Sequence, residues 1–120
     1  MAKIFRPMVL FNGNLPESVL APPDATVIGD PIAVRSSVEY RTEDGSLLSG
    51  VWEASPGLSR WEFIDHGEVI HVLEGSMTVR PDEGDPITLV SGVSAVFPIG
   101  WKGTWEIHER IRKLFVVFTS

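Results

Sequence analysis

The chain has 120 residues, a length typical of one compact domain, and it has no cysteine, which excludes disulfide bonds and cysteine-ligated metal sites. Sixteen acidic residues against ten basic ones give a net charge of −6, so nucleic acid is not expected as a partner. The apolar runs are too short for a signal peptide or a membrane span, so we expect a cytoplasmic protein without membrane contact.

The first 30 residues differ in character from the rest of the chain. Pro16, Pro22 and Pro23 favour extended or turn conformations, and one short apolar run covers residues 8–11. Such a segment cannot bury a core alone. We therefore expect one domain spanning residues 1–120, in which residues 1–30 form an extended arm that wraps around or pairs with residues 31–119.

Strand signals dominate from residue 33 onward. Short runs rich in Val, Ile, Phe, Trp and Thr are separated by proline and glycine, which leaves almost no helical pattern. Gly45 and Gly84 follow acidic residues and suit turns that need a positive φ. This spacing predicts an all-β sandwich or barrel. The predicted strands are 33–41, 47–54, 59–64, 68–74, 76–80, 87–90, 94–97, 104–108 and 111–119.

Three basic residues lie close together near the C-terminus: Arg110, Arg112 and Lys113. Within a predicted strand, we interpret these charges as a solvated face, because lysine and arginine are rarely buried unless they are paired.

Two segments resemble the paired motifs of the cupin superfamily. The first runs from residue 61 to 75 and contains Glu68 seven residues before Gly75, where a hairpin turn is expected. The second contains Gly92, Pro98 and Gly100 in the family's spacing. Other matches are similar to small single-domain cupins of the ureidoglycine-aminohydrolase and ethanolamine-utilisation type, the Cupin_3 group: Gly50-Val51-Trp52-Glu53, Ser55-Pro56-Gly57, Trp105-Glu106, Glu109 and Arg112-Lys113. The resemblance implies an all-β, double-stranded β-helix (jelly-roll) barrel with an N-terminal extended arm.

The resemblance also implies where a metal would bind. Cupins hold a divalent metal with two histidines and a glutamate of the first motif and a histidine of the second. These positions fall here on Trp61, Phe63, Glu68 and Gly103, so that only Glu68 can act as a ligand. We therefore expect no cofactor, and a divalent transition metal is disfavoured.

The three histidines of the chain are further candidates for metal ligands. His66 lies two residues before Glu68, so strand alternation places both on one face, and these two residues would hold a metal if one binds. A position in a solvated turn is the alternative for His66. His71 and His108 fall on the opposite face by the same alternation.

Strand alternation also predicts a pocket with one acid. The residues expected to face inward are Trp61, Phe63, Glu68, Ile70, Trp105 and Ile107. Glu68 among aromatic rings is the candidate catalytic or binding residue, suited to proton transfer or to holding an amine. Two alternatives stay open. In one, the barrel is filled and Glu68 pairs with an arginine such as Arg60. In the other, a register shift brings Glu62 inward in place of Trp61 and Phe63.

Three functions follow from these patterns. The first is a small-molecule-binding cupin with a degenerate metal site and an unknown ligand. The second is a metal-dependent or Glu68-dependent enzyme that acts on a small nitrogenous metabolite, as the ureidoglycine-aminohydrolase resemblance implies. The third is a structural or accessory cupin with a filled barrel. A homodimer is expected, with residues 8–11 or 114–118 at its interface.

Overall fold

The structure is a computed structural model that describes residues 2–119. In this range the chain forms one short helix and nine strands. Their bounds are α1 (Pro7–Asn12), β1 (Glu17–Val19), β2 (Thr26–Ile28), β3 (Ala33–Arg41), β4 (Leu47–Ala54), β5 (Gly57–Glu62), β6 (His66–Pro81), β7 (Ile87–Val90), β8 (Ser94–Phe97) and β9 (Lys102–Thr119). No helix among residues 2–119 is long and apolar enough to cross a membrane.

Two long strands, β6 and β9, form the centre of the sheet. They pair with each other along most of their length, and every pairing in the sheet is antiparallel. The second half of β9 also pairs with β4, whereas its first half pairs with β5. The two halves of β6 pair with β8 and β7 in the same manner. The sheet therefore curls around its central pair into a half-barrel, which confirms the all-β prediction.

Gly75 marks a bend in β6 and not a hairpin turn. The predicted hairpin at this residue is wrong, because β6 continues through it as one strand with irregular pairing between Val72 and Met77. The φ of Gly75 is +90°, and a Cβ here would lie 2.1 Å from the carbonyl oxygen of Arg110. Glycine thus lets the two central strands bend together at close approach.

The arm pairs with the barrel along two different edges. β1 extends the sheet beside β3, and β2 pairs with β5. The helix α1 was not predicted. Its first residue is Pro7, whose fixed φ suits the first helical position. The run that follows it, 8–11, contains only apolar residues, so its sequence does not distinguish a helix from a strand.

The core lies inside the curled sheet. Its residues come from all the long strands, and many have almost no exposed surface. Burying each large apolar side chain stabilises the fold by roughly 1.5–3 kcal/mol. The largest buried apolar side chains of this core are Leu20, Ile32, Trp61, Phe63, Ile70, Met77, Leu89, Phe97, Trp105, Ile107, Ile111 and Phe115.

Candidate functional site

An open cavity of about 270 Å³ lies between the arm and the interior of the barrel. Four arm residues line one side of it, namely Ser18, Val19, Leu20 and Asp24. The barrel supplies aliphatic walls from β3, β4 and β9, and it supplies the buried part of the cavity. That buried part contains Trp61, Phe63, Glu68 and Lys113.

Glu68 and Lys113 form a buried ion pair at this cavity. The Lys113 Nζ donates a hydrogen bond of 2.7 Å to Glu68 Oε2, and the two side chains are 2% and 6% exposed. Glu68 pairs with Val117 and Val72 pairs with Lys113 across β6 and β9, which places both charged residues on the interior face. Each charge therefore neutralises the other where water is excluded.

Three tryptophan rings lie around the Lys113 ammonium. Nζ lies 4.4 Å from the ring centroid of Trp52, 4.6 Å from that of Trp105 and 5.6 Å from that of Trp61. All three distances are within the range of cation–π attraction. Burial lowers the pKa of Lys113, because its ammonium loses water, while the charge of Glu68 acts in the opposite direction.

The aromatic rings form one stacked group behind the cavity. Trp61 and Trp105 stack with centroids 3.8 Å apart, and Phe63 stacks on Trp61 at 5.9 Å. The indole Nε1 of Trp61 donates a hydrogen bond of 2.8 Å to Ser59 Oγ. The indole Nε1 of Trp105 is buried without a hydrogen-bond partner among residues 2–119. Ring stacking and the hydrogen bond to Ser59 fix the orientation of these aromatic rings.

The interpretation of the C-terminal basic residues as a solvated face is wrong for two of the three. Lys113 is buried on the interior face, and Arg112 is buried on the opposite face of the sheet. Arg112 Nη1 donates to Glu53 Oε2 at 2.9 Å, and its other nitrogens donate to the carbonyl oxygens of Val9 and Leu10. Arg110 alone is mainly exposed. Lys113 and Arg112 can be buried because each is paired with a carboxylate.

The acid of the predicted pocket, Glu68, is paired, but not with the expected arginine Arg60. Its partner is Lys113, and Arg60 instead binds Asp82 through two hydrogen bonds. The alternative register is also excluded, because Glu62 is exposed while Trp61 and Phe63 are buried.

The residues at the cupin ligand positions do not fit a metal ion. Two of these positions carry aromatic rings, and Glu68 is already bound to an ammonium. A Cβ at Gly103 would lie 2.4 Å from the carbonyl oxygen of Arg80 and 2.6 Å from the Trp101 ring, so a histidine cannot be placed there. Within residues 2–119, no three His, Asp or Glu side chains are grouped so that they could hold a metal ion.

The three histidines lie outside any such group. His66 is half-buried beside the cavity, and its Nδ1 forms a 2.8 Å hydrogen bond with Asp65. His71 contacts Ser94, and His108 contacts Thr78.

The predicted pocket residues divide into two groups. Trp61, Phe63 and Glu68 line the cavity. Ile70, Trp105 and Ile107 are buried in the core, and the cavity is lined by other residues.

Lys113 and Trp52 are the site residues that sequence reasoning missed. A signal was present, since Ile111, Lys113, Phe115 and Val117 alternate along one face of β9. This pattern does not show which face of β9 lies inside the barrel, because Leu114, Val116 and Phe118 make the other face apolar as well.

One family model and several solved structures are similar to this chain. A model of the EutQ-like cupin domain matches residues 41–115. The structure of EutQ from Clostridium difficile is 21% identical, with a TM-score of 0.62 over 73% of this chain and 69% of that one. The corresponding values for ethanolamine utilization protein Q from Salmonella typhimurium are 18%, 0.63, 89% and 98%. No curated protein matches the chain.

A DUF861-family protein of unknown function from Pseudomonas syringae pv. tomato is also similar in structure. It is 21% identical with a TM-score of 0.73, over 85% of this chain and 44% of its own, so this chain spans less than half of that protein. At these identities the structures establish the cupin fold alone, whereas the family model covers more than half of the sequence. The chain therefore belongs to the EutQ-like cupin family.

Proposed function

We propose that this cupin binds a small metabolite in the cavity beside Glu68 and Lys113, without the help of a metal ion. The observation that carries this proposal is an open cavity that ends on a buried ion pair and aromatic rings. Its volume of about 270 Å³ is slightly below the roughly 300–1,000 Å³ usual for small-molecule sites, so the ligand must be small. Apolar walls with a few fixed polar groups are typical of such sites.

The charges around the cavity define the ligand class. Glu68 and Lys113 neutralise each other, which leaves Asp24, exposed on the arm, as a negative charge at the cavity. No hydrogen bond to Glu68 Oε1 is formed by any group in residues 2–119, so this oxygen can accept one from a ligand. The features together favour a small amine, amide or urea with N–H donors over an anion.

The other two functions have less support. A metal-dependent reaction of the ureidoglycine-aminohydrolase type needs a ligand set that Trp61, Phe63 and Gly103 do not supply. A filled barrel would leave no cavity between the arm and the sheet.

The experiment blocks the cavity without touching the ion pair. Val38 lines the cavity and is an exposed residue at 44%. Thermal melting of the wild-type protein is measured with propanamide, N-methylurea and propylamine as probes. We expect at least one probe to raise the melting temperature of the wild type and to leave that of Val38→Trp unchanged.

Val90→Trp is the matched control, because Val90 is an equally exposed strand valine outside the cavity. It should respond to the probe as the wild type does. A wild type that responds to no probe, or a Val38→Trp variant that responds fully, would contradict the proposal.

A further inference from the structure

The surroundings of the Lys113 ammonium are those of a binding site for an alkylammonium ion. Recognition of such ions uses aromatic faces around the cation together with a carboxylate that receives its N–H groups. Here three indole rings lie 4.4–5.6 Å from Nζ, and the carboxylate oxygen lies at 2.7 Å. The bound ion, however, belongs to the chain itself.

Each wall of this site is fixed by the sheet. Trp52 is the direct cross-strand neighbour of Lys113 on β4, so their side chains leave the sheet on the same face. Trp105 lies earlier on β9 and stacks against Trp61 of β5. Glu68 comes from β6. Four strands thus contribute to one pocket for a single positive charge.

Glu68 is the one residue at a cupin ligand position that is still an acid. It is also the residue that binds the Lys113 ammonium. Trp61, one of the enclosing rings, stands where the family has a histidine. We propose that Glu68 and the three tryptophans form an alkylammonium site that the chain fills with its own Lys113, so that a tethered ammonium replaces the metal as the cation of the barrel. This inference goes beyond the proposed function, since it concerns the residues that surround the Lys113 ammonium and not the ligand of the open cavity.

The test empties the site and refills it from solution. Lys113→Ala removes three methylene groups and the ammonium, which together have the shape of n-propylammonium. We expect about 50 mM n-propylammonium to raise the melting temperature of Lys113→Ala by about 4 °C beyond any shift of the wild type, because the ion binds the folded state alone. An equal concentration of 1-propanol, which has the same length and no charge, should have little effect.

Lys102→Ala is the matched control, because Lys102 is an exposed lysine and the first residue of the same strand. Its melting temperature should not respond to n-propylammonium beyond the wild-type shift. The proposal is overturned if 1-propanol stabilises Lys113→Ala as well as the ion does, or if Zn²⁺ or Mn²⁺ stabilises it and n-propylammonium does not. A wild type that fails to bind the probes of the open cavity would affect the proposed function and leave this result intact.

A second variant covers the case in which Lys113→Ala does not fold. Lys113→Met fills the space with an uncharged chain of similar length. If the ammonium is what the site requires, Lys113→Met is less stable than the wild type, and adding Glu68→Gln restores stability. A Lys113→Met variant as stable as the wild type would refute the inference.

Discussion

At the scale of single residues, Glu68 and Lys113 depend on each other. A carboxylate or an ammonium alone would lose its hydration inside the barrel without compensation. Their 2.7 Å hydrogen bond and the nearby rings supply that compensation. The stability of the pair is therefore measured better by removing one partner at a time than by counting contacts.

We predict that Glu68→Gln lowers the free energy of unfolding by about 3 kcal/mol, because it leaves the Lys113 ammonium buried without a counter-charge. The double variant Glu68→Gln/Lys113→Met should recover most of this loss. Urea denaturation of the four proteins gives the coupling energy directly. Glu74→Gln, an exposed change on the same strand, should have almost no effect. Additive losses in the double variant would show that the two groups do not interact.

We predict that Gly103→Ala destabilises the fold by about 2 kcal/mol, since the added methyl group meets the backbone of Arg80 and Pro81. Thr104→Ala, at the next position of β9, has no such clash and should be the milder change. Thermal melting compares the two variants. A fully stable Gly103→Ala would mean that the strands can separate, and the argument against a histidine at this position would then fail.

At the scale of elements, an ion pair connects β5 to the turn after β6. Arg60 donates two hydrogen bonds to Asp82, at 2.5 and 2.7 Å. These bonds lower the pKa of Asp82 below 3.8. A lowered acid pKa means that the pair stabilises the fold above pH 3.8 and stops doing so as the pH falls through the lowered value.

The pH dependence of the Asp82→Asn variant tests this pair. We expect the wild type to be slightly more stable than Asp82→Asn at neutral pH, with a small difference because both side chains are partly exposed. The difference should shrink as the pH falls below 3.8. Asp85→Asn, in the same turn and without an ion pair in the described part of the chain, should show no such trend. A difference that persists in strong acid would rule out this charge pair as its source.

Most strands could be predicted from the sequence because their turns contain glycine or proline. The bounds of β3, β4, β7 and β8 are those predicted. The two central strands were each predicted as two shorter ones. Gly75 resembles a turn residue, and Glu109 and Arg110 are exposed and polar, yet the sheet bends at these residues without ending. Glycine and exposed polar residues indicate a β-bulge as well as a turn. Only the pairing with the neighbouring strand distinguishes the two.

At the scale of the whole molecule, the sequence predicted the fold and three of the residues that line the cavity. The cupin spacing counted back from Glu68, together with strand alternation, predicted that Trp61, Phe63 and Glu68 face the interior, and all three are buried. Which cation accompanies Glu68 could not be predicted, since it comes from a strand whose two faces are both apolar. The homodimer stays a prediction.

Arg112 joins the arm to the barrel. It lies on the outer face of the sheet, where it binds Glu53 and the last carbonyl oxygens of α1. The arm in turn forms one side of the cavity through residues such as Leu20. The arm thus contacts an ion pair on the outer face of the sheet and also lines the cavity on its inner face.

We predict that Arg112→Met lowers the free energy of unfolding by about 2 kcal/mol, because Glu53 loses its closest counter-charge and α1 loses two hydrogen bonds. The loss stays below that of an isolated buried pair, since Arg35 and Arg110 lie within 3.6 Å of Glu53 and can still balance its charge. Arg110→Met, an exposed change two residues away, should have a much smaller effect. Urea denaturation gives the stabilities, and limited proteolysis should show faster cleavage within the arm of Arg112→Met alone. Equal cleavage of the two variants would mean that the arm is held by its strand pairing and that Arg112 serves Glu53 only.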